Sequence, residues 1–232
     1  MKKNKVLFTC AHPDDEVLGC GGIISKMIKQ GHKIKIIFIS EGITARYEKK
    51  DFENKKVKNE IIERNNNSIE ALEYLGVNKK NIIFYNHPCC RLDTKPVIDI
   101  TKIIEREISI FKPDIVYTHN KDDVNIDHKV CFEATLAACR PTKENSIKKI
   151  FTFEVLSSTE WNPNNTFTPQ VFEDITDFID FKINSLKKYK KELMKSPHSR
   201  SIEKVLAMAA YRGSFIGVKY AEAFQLIRQK CL

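Results

Sequence analysis

Short apolar runs alternate with amphipathic stretches along most of the chain. The apolar runs predict buried strands over residues 6–10, 33–40, 81–85, 115–118 and 149–155. Apolar positions recur at helical spacing over residues 23–30, 58–75, 97–111 and 129–139. Because strands that alternate with helices usually pair in parallel, the pattern predicts an α/β fold. We expect a mainly parallel sheet between two layers of helices, which is a three-layer sandwich.

The last part of the chain gives weaker patterns. They predict an extra strand at the sheet edge over residues 171–175, a long helix over 178–195, a loop over 211–220 and a short strand or helix over 221–226. Ser201 is expected to cap a further helix. The chain has 232 residues, of which 42% are hydrophobic, and it shows no repeat or low-complexity tract. We therefore expect one domain over residues 1–232.

A polar segment follows the first strand, with the sequence Cys-Ala-His-Pro-Asp-Asp-Glu over residues 10–16. His12 and Asp15 offer an imidazole nitrogen and a carboxylate oxygen, and zinc commonly binds such mixed ligand sets. Asp14 lies between them and can stay off the metal, as a general base must. Gly21 and Gly22 are predicted to turn the chain tightly into the first helix.

A second polar segment follows the strand over 115–118 and ends at His128, which opens the helix over 129–139. The carboxyl ends of parallel strands meet at one edge of a sheet, where open α/β sheets bind ligands. His128 can therefore complete a site of two histidines and one carboxylate with His12 and Asp15. From the residues alone, the alternative is a polar loop that caps a helix.

Together the two segments resemble the PIG-L (LmbE-like) family of zinc-dependent N-deacetylases. The resemblance rests on residues 11–16, on Gly21-Gly22 and on Asp127-His128, and it runs over most of the chain. Residues 124–128, 140–141, 154–158 and 220–224 support it and resemble a bacterial branch of the family. It implies a Rossmann-like, LmbE-like sheet. It also implies that His12, Asp15 and His128 bind the metal and that Asp14 is the general base.

One position departs from the family pattern. Many members have a histidine two residues before the aspartate of the Asp-His pair, where this chain has Asn125. An amide can donate a hydrogen bond to an oxyanion but cannot carry a proton at neutral pH. The resemblance thus implies a catalytic, polarising role for Asn125. His119 is a candidate for the missing proton carrier.

Three further residues are candidates for the site. Asp127 is expected to hold a ligand histidine, to cap the following helix, or to do both. The resemblance makes Arg64 a candidate substrate clamp, with a surface ion pair to Glu60 as the equally weighted alternative. The resemblance likewise makes Asp93 a candidate acceptor for substrate hydroxyls, and Asp93 is also an ordinary turn residue.

Charge and cysteine content narrow the class of partner. The formal net charge of +9 is interpreted mainly as a solvated lysine-rich surface, with attraction of an anionic substrate as the alternative. We expect no nucleic-acid partner, because no nucleic-acid-binding motif occurs. We also expect no membrane span, because no apolar run approaches the roughly 18 residues that a span needs.

The seven cysteines include no Cys-x-x-Cys pair. Without an export signal we expect reduced thiols and a cytoplasmic protein.

The resemblance implies a zinc-dependent hydrolase that removes the acetyl group from an N-acetylated amino sugar, with zinc-activated water as the nucleophile. The small-molecule substrate would be an N-acetylglucosamine-type glycoside or a nucleotide sugar. The same ligand types also fit Fe²⁺ and other divalent metals. The alternatives are a hydrolase of another amide and a non-catalytic sugar- or nucleotide-binding module on the same fold. The sequence leaves open whether the protein forms a homo-oligomer.

Overall fold

A computed structural model describes residues 3–142, 147–164 and 167–231. Within these ranges, seven strands form one sheet: β1 (Lys5–Cys10), β2 (Lys33–Ser40), β3 (Ile82–His87), β4 (Ile115–His119), β5 (Lys149–Phe153), β6 (Val171–Asp174) and β7 (Ala221–Gln229). The α-helices are α1 (Asp15–Lys29), α2 (Lys55–Tyr74), α3 (Val97–Phe111), α4 (Ile126–Ala138), α5 (Ile179–Leu186) and α6 (Ile202–Ser214). None of these helices is both long and apolar enough to cross a bilayer.

The strands lie in the order β3-β2-β1-β4-β5-β7-β6. The first five of these run parallel, whereas β7 is antiparallel to both β5 and β6. The strand order reverses at β1, since β2 and β4 pair with its two edges. Open α/β sheets bind ligands at the carboxyl ends of the strands beside such a reversal.

Helices cover both faces of the sheet. On one face, α1, α2, α5 and α6 pack against the core that contains Val6 and Phe8. On the other face, α3 and α4 pack against the core that contains Leu7. Consecutive residues of β1 therefore face opposite cores, as the two-residue period of a strand requires. The predicted three-layer α/β sandwich is confirmed.

The first helix begins at Asp15 rather than at residue 23, so the predicted tight turn at Gly21 and Gly22 is wrong. Both glycines lie inside α1, where they allow close packing. A Cβ atom at Gly22 would lie 2.7 Å from Ile175 Cδ1, nearer than real Cβ atoms approach. The early start places Asp15 in the first turn of a helix.

The predicted helix over 178–195 is present as α5, but its predicted extent is wrong, because α5 ends at Leu186. The chain turns after α5 so that the buried Tyr189 hydroxyl donates to Glu16 Oε1 at 2.6 Å. Farther on, α6 continues to Ser214 into the predicted loop. Residues 221–226 belong to a strand, β7, and the predicted extra strand at the edge is β6.

Candidate active site

The two polar segments meet at the carboxyl ends of β1 and β4. The Ala11 N–H donates to His119 Nε2 at 2.8 Å, which joins the end of β1 to the last residue of β4. Asn125 caps α4 through its side-chain oxygen, which accepts from the Asp127 N–H at 2.9 Å. Because of this cap, α4 begins at residue 126 rather than at residue 129, and His128 lies in its first turn.

Asp15 lies at the centre of three buried histidines. Its Oδ2 atom accepts from the His12 N–H at 2.7 Å and lies 3.5 Å from His12 Nδ1. The same oxygen is 3.4 Å from His128 Nε2 and 3.5 Å from His119 Nε2. The structure therefore brings the predicted ligands His12, Asp15 and His128 together, with ligand atoms within 4.8 Å of one another.

A carboxylate holds each of the two candidate ligand histidines. His12 Nε2 lies 3.0 Å from Asp127 Oδ2, and His128 Nδ1 lies 3.0 Å from Asp123 Oδ2. Asp123 also accepts from two hydroxyl groups of the loop after β5. Such contacts fix the orientation of an imidazole ring and leave its other nitrogen for a metal.

The spacing of these donors fits zinc or a similar cation. Tetrahedral ligation at about 2.1 Å puts neighbouring ligand atoms about 3.4 Å apart. The distances from Asp15 Oδ2 to His128 Nε2 and His12 Nδ1 are 3.4 and 3.5 Å. Asp15 Oδ1 and His128 Nε2 are also buried without a hydrogen-bond partner among the described residues. Buried polar atoms nearly always have a partner, and a cation would supply one for both.

The carboxylates around the two histidines attract positive charge. Burial lowers the pKa of His12, but hydrogen bonds to Asp127 and Asp15 outweigh it and raise the pKa to about 9. Burial also lowers the pKa of His128, and the Asp15 and Asp123 carboxylates raise it to about 10. Protons therefore compete with a cation for these two side chains.

His119 differs from the other two histidines. Its ring stacks on His128 with centroids 3.9 Å apart, and its Nε2 lone pair is used by the Ala11 N–H. Burial, together with the charge of His128, lowers the pKa of His119 to about 3. A neutral and fully buried His119 is poorly suited to carry a proton, so its contacts favour a role in holding the end of β1.

Asp14 is buried beside this cluster but faces arginines. Its backbone φ is +120°, which is uncommon for a residue other than glycine. Its Oδ1 lies 3.2 Å from Arg64 Nη2, and its Oδ2 lies 2.7 Å from Arg200 Nη1. Burial raises the pKa of Asp14 although Arg200 and Arg64 act to lower it. A carboxylate with a raised pKa accepts a proton more readily, which suits a general base.

Arg64 is only 5% exposed, so the alternative of a surface ion pair with Glu60 is wrong. Its guanidinium donates to the carbonyl oxygens of Pro13 and Gly42, each at 3.0 Å. It also pairs with Glu192 at 2.7 Å. These contacts favour a role in holding the loop after β1, and the substrate clamp stays a prediction.

Asp127 and Asp93 are linked by one loop. The Cys90 and Leu92 N–H groups donate to Asp127 at 2.6 and 2.9 Å, and Asp93 follows them as an exposed residue. Since Asn125 caps α4, the alternative that Asp127 is the cap is wrong. The loop that carries Asp93 is thus anchored on the carboxylate that holds a candidate ligand histidine.

Sequence reasoning missed three charged residues, Asp123, Glu192 and Arg200. Asp123 lies in the same polar segment as His128, so the sequence could have suggested it as a partner for that histidine. Arg200 is 186 residues from Asp14 along the chain, and it also lies 3.5 Å from Glu192. No spacing in the sequence predicts such contacts.

A sequence profile of the PIG-L family, GlcNAc-PI de-N-acetylase, matches residues 7–139. These residues make up more than half of the chain and include His12, Asp14, Asp15 and His128. The protein therefore belongs to the PIG-L family, as its motifs predicted.

Individual relatives agree with this assignment. The uncharacterized deacetylase YaiS of Escherichia coli K12 is 28% identical over 198 residues, covering 82% of this chain and 92% of YaiS. The N,N′-diacetylchitobiose deacetylase of Pyrococcus horikoshii, solved with its inhibitor MPG, superposes with a TM-score of 0.75 at 21% identity, covering 97% of this chain and 84% of that one. GalB of Pseudomonas putida KT2440, a 4-carboxy-2-hydroxymuconate hydratase, has a TM-score of 0.75 at 18% identity and covers 99% and 98%. These structures establish the fold alone, since one fold supports several reactions.

Proposed function

We propose that this protein is a metal-dependent hydrolase that removes the acetyl group from an N-acetylated amino sugar, such as an N-acetylglucosamine glycoside or nucleotide sugar. Membership of a de-N-acetylase family and the similarity to a deacetylase of N,N′-diacetylchitobiose support this substrate class. The observation that carries the proposal is local. His12, Asp15 and His128 have the spacing of cation ligands, and a separate buried carboxylate, Asp14, lies on the adjacent residue.

His12, Asp15 and His128 would hold the metal. Zinc bound there would supply a Lewis acid that polarises the amide carbonyl and lowers the pKa of a water molecule. Asp127 and Asp123 keep the two imidazole rings in the orientation that ligation needs. The same donors suit Fe²⁺ and other divalent metals, so zinc is the proposed cation on the strength of the family.

Asp14 carries the proton in this proposal. It takes a proton from the attacking water and then donates it to the leaving amine, so one carboxyl group serves both transfers. Arg64 and Arg200 hold that carboxyl group from two sides. The cap of α4 uses the amide oxygen of Asn125. The NH₂ group of Asn125 makes a long contact with Cys90 Sγ at 4.0 Å, and its second N–H is the proposed donor to the oxyanion of the tetrahedral intermediate.

The proposal also includes a role for Asp93 and a single domain. Asp93 is the proposed acceptor for substrate hydroxyls, because it is exposed on the loop that Asp127 anchors. We also propose that residues 1–232 form one domain, since a single sheet draws its strands from residues 5 to 229.

Acetate release from a substrate panel tests the proposal. The zinc-loaded protein is incubated with N,N′-diacetylchitobiose, an N-acetylglucosamine glycoside and a nucleotide sugar that carries N-acetylglucosamine. We expect at least one of them to lose its acetyl group. The activity should disappear on chelation and return when zinc is added. The variant His128→Asn removes one proposed ligand and keeps a smaller polar side chain. It should lose the activity.

Three outcomes would contradict the proposal in different ways. Acetate release that persists in His128→Asn or after complete chelation would remove the metal from the mechanism. A zinc-loaded protein that releases no acetate from any sugar would reject the substrate class. Binding of the sugars without hydrolysis would favour the non-catalytic module.

A further inference from the structure

Two consecutive cysteines lie beside the proposed metal site. Cys89 is 6% exposed, whereas Cys90 is open to solvent, and both are free thiols. Their sulfur atoms are 3.7 Å apart. The proposed deacetylase mechanism uses neither of them.

Backbone hydrogen bonds fix the position of this cysteine pair. The Cys90 N–H donates to Asp127 Oδ2 at 2.6 Å, and the Cys89 N–H donates to Glu41 Oε1 at 2.9 Å. Asp127 Oδ2 is in turn 3.0 Å from His12 Nε2. The two thiols are therefore held beside one carboxylate and one imidazole.

The four side chains form a ligand set of their own. One donor atom from each of His12, Cys89, Cys90 and Asp127 lies within 4.8 Å of all the others. Two thiolates bound to zinc at about 2.3 Å in a tetrahedral arrangement are roughly 3.8 Å apart. The 3.7 Å between the two sulfurs already matches this spacing. Because Cys90 is exposed, a cation can reach this ligand set from the solvent.

The ring of His12 allows both ligand sets to exist. Its Nδ1 faces Asp15 at 3.5 Å, and its Nε2 faces Asp127 at 3.0 Å. Asp127 accepts two backbone hydrogen bonds, and a carboxylate has about four lone-pair positions, so it can keep these bonds and still bind a cation.

We propose that Cys89 and Cys90, together with Asp127 and His12, form a second metal site that takes a soft divalent cation, zinc or cadmium. On binding, each thiol releases its proton to solvent and forms a sulfur–metal bond. His12 likewise releases its remaining ring proton to solvent, so that with both sites filled its ring bridges the two cations as an imidazolate. Thiolate donors select such soft cations over magnesium or calcium. A further consequence rests on the proposed function: a cation at this site replaces the hydrogen bond between His12 and Asp127 and draws on a ligand of the catalytic metal, so an excess of metal lowers deacetylase activity.

Cadmium titration of the metal-free protein tests the second site. Thiolate-to-cadmium charge transfer gives an ultraviolet absorption band that nitrogen and oxygen ligands do not give, and native mass spectrometry counts the ions. We expect two cadmium ions per wild-type chain, one of which produces the band. Cys90→Ser should lose the band and bind one ion. Cys231→Ser is the matched control, since it changes the other exposed cysteine and should behave like the wild type.

His128→Asn separates this site from the proposed catalytic site, because His128 is not in the thiol ligand set. It should keep the ion that gives the band and lose the other ion. The proposal is overturned if the wild type shows no band at two equivalents of cadmium. It is equally overturned if Cys90→Ser retains the band or if Cys231→Ser loses it. Circular dichroism confirms that each variant is folded.

An activity measurement tests the inhibitory consequence. Deacetylase activity at excess zinc is divided by activity at one equivalent for each protein. We expect this ratio to be about one third or less in the wild type and in Cys231→Ser, and to be near one in Cys90→Ser. Equal inhibition of all three proteins would overturn the consequence.

Discussion

Asp14 and Asp15 are neighbours in the chain, and both are almost completely buried, but their surroundings are opposite. Asp15 faces histidines and Asp14 faces arginines. Burial acts to raise the pKa of both. It prevails at Asp14, whereas the charge of His128 and the hydrogen bond to His12 lower the pKa of Asp15 well below its usual range.

The difference shows how one short turn can give two carboxylates separate roles. The left-handed backbone at Asp14 precedes the first residue of α1, so the two consecutive side chains reach different partners. An aspartate that stays ionised beside imidazoles suits metal ligation, and one with a raised pKa suits proton transfer. Such a divergence of pKa values within one site is a common basis for acid–base catalysis.

Apart from the loss of a metal ligand itself, the largest effect on the Asp15 side is expected from the carboxylates that hold the histidines. Asp123→Asn and Asp127→Asn keep the shape of the side chain and remove its charge. Each should weaken zinc binding by about 10–100-fold, the usual effect of losing an outer carboxylate. Competition with a chromophoric chelator measures the affinity. Asp99→Asn, which changes an exposed carboxylate on α3, is the control and should bind zinc as the wild type does. Unchanged affinity in both variants would contradict the account.

A smaller effect is expected from removing an arginine on the Asp14 side. Arg200 lowers the pKa of Asp14, so Arg200→Met should raise that pKa further. The base must be ionised to act, and the acid limb of the pH profile of kcat/KM should therefore move to higher pH. A shift of one unit would cost about tenfold in activity on that limb. Arg200→Lys keeps the positive charge and should restore most of the profile. A uniform loss at every pH, with no shift, would indicate a merely structural role.

The smallest effect on catalysis is expected at Glu16, where the readout is stability. Burial outweighs the hydrogen bonds from Tyr189 and the Asp14 N–H and raises the pKa of Glu16 to about 8. A carboxyl group with a raised pKa in the folded state stabilises the fold at low pH, and this contribution is lost as the pH rises from about 4.5 to about 8.

In the wild type, the free energy of unfolding should therefore fall across this range by up to about 1.4 kcal/mol per pH unit from this group. Glu16→Gln should remove that slope and become relatively more stable as the pH rises. Urea denaturation at several pH values, with a chelator present, measures the difference between the two proteins. Parallel pH dependence of the two would show that Glu16 ionises at its usual pKa in the fold.

The strands and the metal-ligand candidates were predictable because their signals are local. β1, β2 and β4 are continuous apolar runs, and the polar segments after β1 and β4 must lie at one edge of a parallel sheet. The spacing of His12 and Asp15 is likewise visible without any tertiary information. The residues also made His128 a candidate third ligand and Asp14 a candidate base, and the family resemblance then supported these roles.

The surroundings of Asp14 were not predictable, because they depend on tertiary packing. Gly21 and Gly22 looked like a turn, but both lie inside α1, where the missing side chain of Gly22 leaves room for Ile175. Residues 178–195 looked like one long helix, yet α5 ends at Leu186, the chain turns, and Tyr189 is buried just after it. The same turn leads into the segment that brings Glu192 and Arg200 to the site.

The most direct measurement compares Asp14→Asn with Asp15→Asn, with bound zinc per chain and kcat for acetate release determined on the same samples. The account predicts that Asp14→Asn keeps about one zinc ion per chain and loses roughly 10²–10⁴-fold in kcat, the usual contribution of a general base. It predicts that Asp15→Asn loses both the metal and the activity. Equal zinc content and equal residual activity in the two variants would contradict the division of roles between these adjacent residues.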